Sequence, residues 1–107
     1  MRKEKLSIEV TTKKKSISLK LTGHASYHGE NSALCAGISA IILFFIKSGT
    51  KMGINFKKAI VEKGKAELLW EIPEEETLKQ FSDSLIGSLE EIAKENPKAI
   101  DFRKKIT

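Results

Sequence analysis

A single cysteine among 107 residues excludes an internal disulfide and fits a reducing compartment. No apolar run is long enough for a membrane span. The longest, Ala33 to Ile46, stops short of the roughly 20 residues required and carries Cys35, Gly37 and Ser39. The first ten residues, MRKEKLSIEV, are charged and then alternate, so no secretory leader is expected and the default address is cytoplasmic. There is no glycine-rich loop to cradle a phosphate. Linkers, low-complexity segments and repeats are lacking too, which leaves one compact domain over 1–107.

Against these absences stands an ordinary globular composition, 40% apolar and 31% charged, with a net charge of +5. The positive charge is concentrated: Arg2, Lys3, Lys5, Lys13, Lys14, Lys15 and Lys20 all lie in the first twenty residues. Such an end suits an acidic partner, RNA or a ribosome, and equally suits a solvated strand face and hairpin tip. No aromatic residues interleave with these lysines to form a base-stacking platform.

Patterning gives the fold class. Leu6, Ile8 and Val10 alternate with polar residues, as do Ile17, Leu19 and Leu21, which predicts two half-buried strands joined by a turn at Thr11–Lys15. An apolar helix is expected from about Ala33 to Lys47, capped by Asn31 or Ser32 and ended by Gly49. Being apolar almost all round, it should be the most buried element, covered on two sides. Strands are expected over Gly53–Val61 and Ala66–Ile72, turning at Gly64. Pro73, in the first turn, then opens an amphipathic helix that buries Leu78, Phe81, Leu85, Leu89 and Ile92. Asn96–Pro97 ends it, and Ala99–Arg103 offers a closing strand. The order β-β-α-β-β-α-β predicts an α+β domain, a mostly antiparallel sheet packed with two helices.

Chemistry concentrates in the segment from Leu21 to Ser39, LTGHASYHGENSALCAGIS. Gly23 and His24 come directly off a strand, and Cys35 falls in the first turn of a helix. Unpaired N–H groups and the helix dipole there favour a thiolate and can hold an oxyanion. An adjacent imidazole serves as general base and then general acid, so the arrangement suits acyl transfer. Three other readings use the same residues. Cys35 can simply pack while His24 caps a turn, and His24, His28, Cys35 and Glu30 can ligate zinc. Phosphate binding at the helix start is the weakest of them.

Gly23-His24-Ala25, a short loop containing Gly29, then Cys35-Ala36-Gly37-Ile38-Ser39-Ala40 resembles the signature of the ribosomal-processing cysteine protease family Prp. The resemblance spans the chain, through the hairpin before the histidine to the closing helix–Asn-Pro-Lys–strand segment. It implies a cysteine endopeptidase with a His24–Cys35 dyad and no metal or cofactor. Its implied substrate is a large-subunit ribosomal protein precursor, whose N-terminal extension is cut after a phenylalanine pair. It further implies a homodimer, and a His-to-Cys loop that becomes ordered around substrate. Gly23 and Ser39 match the family pattern and are expected to support the site. Ser39, one turn beyond Cys35, can hydrogen-bond near the thiol or back-bond to its own helix.

The loop is one residue shorter than in the family pattern, with eleven steps from His24 to Cys35. Ser32 stands where that pattern has an aspartate, and Glu30 where it has a glycine. Ser32 can cap the helix without supplying charge, and Glu30 or Glu9 is the available carboxylate. The alternative function is a basic, ribosome-associated binding module that has lost peptidase activity.

Overall fold

The computed structural model describes residues 5–23 and 32–107. The elements run β1 (Leu6–Thr12), β2 (Ser16–Thr22), α1 (Ser32–Met52), β3 (Phe56–Glu62), β4 (Lys65–Glu71), α2 (Glu76–Glu95) and β5 (Ile100–Ile106), the expected order. The strands form one sheet in the order β3-β4-β2-β1-β5. Three of its pairings are antiparallel, and β5 joins β1 in parallel along its whole length, from Leu6↔Ile100 to Thr12↔Ile106. That long pairing carries the closing strand to Ile106, beyond the Arg103 expected from sequence.

Alternation decides which sheet face is covered. Leu6, Ile8, Val10, Ile17, Leu19, Leu21, Ala66, Leu68 and Trp70 are buried, in one core with Ile38, Ile42 and Phe45 of α1 and Leu85, Ile86 and Leu89 of α2. At its centre the Phe45 ring meets Trp70 edge-on at 5.0 Å and stacks on Phe81 at 5.2 Å. Trp70 has a polar edge, and its Nε1–H donates to Ser82 Oγ at 2.9 Å, with both residues buried. Ser82→Ala removes that acceptor and leaves a buried donor unpaired. We expect a loss of about 1–2 kcal/mol, read in urea unfolding as a lower midpoint at unchanged slope.

Other boundaries also differ from the sequence expectation, three of them for a clear local reason. First, α1 runs through Gly49 to Met52. Gly49 is buried in the last turn, where a Cβ would stand 3.2 Å from Ile54 Cδ1 and from the Phe56 ring, so the missing side chain makes room for packing. The helix ends instead at Gly53 (φ 109), where Gly53 N–H donates to Thr50 O (3.2 Å) and Ile54 N–H to Gly49 O (2.8 Å), a Schellman cap. Second, that cap occupies Gly53 and Ile54, so β3 starts at Phe56. Third, α2 begins at Glu76, so Pro73 precedes the helix. Ile72 N–H still donates to Lys15 O at 2.9 Å, which keeps the chain extended up to the proline.

The sheet and α2 cover two sides of α1, as expected, but the expectation that it is the most buried element is corrected. Its Ile38, Ile42 and Phe45 are buried, but Leu43 is 52% and Phe44 64% exposed. One sheet below and one helix beside it cannot cover the whole cylinder. Over Leu34–Met52, α1 is the one helix among the described residues that is long and apolar enough to cross a membrane. Its sheet-facing side nevertheless lies in the core.

Candidate active site

Cys35 is the fourth residue of α1 and half-buried, packed against the core cluster. Among the described residues no acidic side chain stands in the first turn of α1, where it would offset the positive end of the helix dipole. Cys35 opens onto a cleft of about 70 Å³ between α1, the end of β2 and the β3–β4 turn. Ile38, Ile42, Leu6, Leu21, Ala66 and Val61 give it an apolar lining, and Ser39 stands beside Cys35 on the same wall. Glu62, Gly64 and Lys65 form its outer rim. This hairpin is stiffened by Glu67, which bonds Lys58 closely and meets Lys65 at 3.6 Å. The Lys58 hydrogen bond holds the Glu67 carboxyl below the usual carboxylate range, so the pair is lost only as pH falls through that lowered value.

Gly23 closes the cleft at the end of β2. Its φ is 94°, and a Cβ there would stand 2.8 Å from the Lys5 carbonyl oxygen, a separation that real side chains do not tolerate. Its N–H donates to Gly64 O at 3.0 Å, tying the end of β2 to the β3–β4 turn. That bond also occupies the Gly23 amide, which is therefore not offered to an oxyanion. Gly23 shapes the cleft instead, and the amides at the start of α1 remain as donors.

Of the residues singled out from sequence, Gly23, Cys35 and Ser39 therefore meet at one cleft. Ser32 is the first residue of α1, and Asn31 lies outside the described residues. His24 and Glu30 lie outside the described residues, as does His28 of the zinc reading. Among the described residues no group of three metal-ligating side chains gathers. The cleft also includes residues that sequence reasoning passed over, chiefly Val61 and Glu62. The alternation of Ala59 and Val61 signals a strand face, but nothing local says that its end meets Cys35.

An apolar cleft with a cysteine in the first turn of a helix at its wall has room for thiol acyl chemistry. A family model described as cysteine protease Prp matches residues 5–101, and the chain belongs to that family. No match is found among curated proteins. Solved structures share the fold. A Streptococcus mutans protein is 12% identical with a TM-score of 0.73, covering 96% of both chains. The Staphylococcus aureus ribosomal processing protease Prp, in complex with a covalently linked product peptide, is 18% identical with a TM-score of 0.75, covering 92% of this chain and 98% of its own. The same protease with a substrate peptide gives 12% and 0.65 over the same shares.

Proposed function

We propose that the chain is an endopeptidase that removes the N-terminal extension of a large-subunit ribosomal protein, cutting after a phenylalanine pair through a His24–Cys35 dyad. The observation that carries this reading is the shared cleft. Gly23, bonded covalently to His24, lines the same 70 Å³ space as Cys35. The S. aureus relative, described as an essential ribosomal processing protease with a covalently linked product peptide, supports the same chemistry here.

In the proposed mechanism the Cys35 thiolate attacks the scissile carbonyl carbon, and amides at the start of α1 hold the oxyanion. The carbon–nitrogen bond breaks as the His24 imidazolium gives its proton to the departing amine, leaving a thioester. His24 then takes a proton from water, and the resulting hydroxide attacks the thioester. The carbon–sulfur bond breaks, releasing the new carboxylate and restoring the thiolate–imidazolium pair. No cofactor takes part. Incubation with a peptide carrying the ribosomal-protein extension tests the reading. Cleavage after the phenylalanine pair is expected, and an intact peptide sinks it in favour of a non-catalytic binding module.

We further propose a homodimer, acting in the cytoplasm and in reach of the ribosome. The support is the open apolar side of α1, where Leu43 and Phe44 stand exposed. Light scattering at micromolar concentration should give twice the chain mass, and Phe44→Glu should halve it. A wild-type monomer would count against the dimer.

A further inference from the structure

The sheet has two edges among the described residues, β3 and β5, and they are protected differently. An open edge presents unpaired N–H and C=O groups that will pair with any extended chain, so edges are normally blunted by charge or by a bulge. In β5 three consecutive residues are Arg103, Lys104 and Lys105. In β3 the irregularity lies between Phe56 and Lys58, and from Lys58 to Glu62 the pairing with β4 is regular. That regular part carries a charge at each end, Lys58 and Glu62, with the uncharged Ala59-Ile60-Val61 between them, and it ends at the cleft that Cys35 lines. Ala59 and Val61 pair with Leu68 and Ala66 on the helix-covered face, yet α1 leaves both exposed, Val61 by 37%. A regularly paired edge with an apolar centre therefore runs into the cleft that the thiol lines.

We infer that the Lys58–Glu62 edge of β3 is the template on which the substrate's extended segment is laid as a sixth strand. The inference rests on the peptidase reading above. The occupant follows from continuity: a peptide whose carbonyl is to reach Cys35 must leave the cleft along one of its walls. The β3 wall offers main-chain pairing for about 16 Å of chain, enough for roughly five residues at 3.3 Å each. Main-chain bonds then supply register for the scissile bond, while Val61 and Ser39 touch the side chains that enter the cleft. Specificity is thereby confined to the residues nearest the cut.

The test uses the wild-type protein and a set of substrate peptides, each N-methylated at one backbone amide. Because a strand bonds its neighbour through every second residue, kcat/KM should fall about three- to tenfold at alternate positions on one side of the scissile bond and change little between them. Hydrogen exchange on Cys35→Ala with the unmodified peptide should slow the amides of residues 58–62 and leave β5 unchanged. Cleavage with no two-residue alternation, or slowed exchange at β5 in place of β3, overturns the template and leaves the peptidase reading intact. Slow exchange at 58–62 that rises with protein concentration in the absence of peptide puts a second copy on the edge and also overturns it. Failure of wild type to cut any peptide removes both.

Discussion

Cys35→Ala should lower kcat/KM for the extension peptide at least about a thousandfold, to the level of background hydrolysis, while the protein stays folded. The two effects separate because Cys35 is only half-buried at the cleft wall. Truncating it removes the nucleophile but little packing, so the change in unfolding free energy should stay within about 1 kcal/mol. Cys35→Ser is the sharper comparison. It keeps the shape of the side chain, but a hydroxyl is a far weaker acid and nucleophile than a thiol. Its activity should fall nearly as far as that of the alanine variant. Equal activity in all three proteins, measured on the same peptide, would take Cys35 out of the chemistry.

Gly23→Val should cost both stability and activity, because a single position carries two constraints. The left-handed φ of 94° is disfavoured for any side chain with a Cβ, and that Cβ would press to 2.8 Å on the backbone oxygen of Lys5. Lys5 O is main chain, so relief requires moving the start of β1 or rotating the peptide at residue 23. Either movement breaks the Gly23 N–H bond to Gly64 that joins β2 to the β3–β4 turn. We expect a loss of about 2–3 kcal/mol in chemical unfolding. kcat/KM should fall on the order of 100-fold, since Gly23 and Gly64 both line the cleft that Cys35 faces. Gly87→Ala is the control. A Cβ there meets nothing within 4 Å in a helix, so it should stabilise by about 0.5–1 kcal/mol and leave cleavage unchanged.

Most of the fold is legible in the sequence because its elements have clean periods. Leu6-Ile8-Val10 and Ile17-Leu19-Leu21 fix strands and their buried face with no long-range information, and the spacing from Leu78 to Ile92 does the same for α2. Legibility fails where a local signal has two physical meanings. Gly49 reads as a helix stop, but its lack of a side chain serves the approach of Phe56, and the stop is four residues on at Gly53. The apolar character of α1 says that it wants cover without saying from what, and within one chain Leu43 and Phe44 remain uncovered.

The site divides in the same way. Cys35, Ser39 and Gly23 are visible from strand end, helix start and one-turn spacing. The opposite wall is not, because Val61 reaches the cleft through the pairing of β4 with both β2 and β3, and pairing partners are not written in local sequence. The bond from Gly23 to Gly64 is hidden for the same reason.

The most direct measurement follows Cys35 alkylation and peptide cleavage in one sample. Iodoacetamide should modify Cys35 faster than it modifies the same cysteine in the urea-unfolded chain, with activity falling in step with the modified fraction. Full modification of Cys35 with cleavage undiminished would contradict its assignment as the nucleophile.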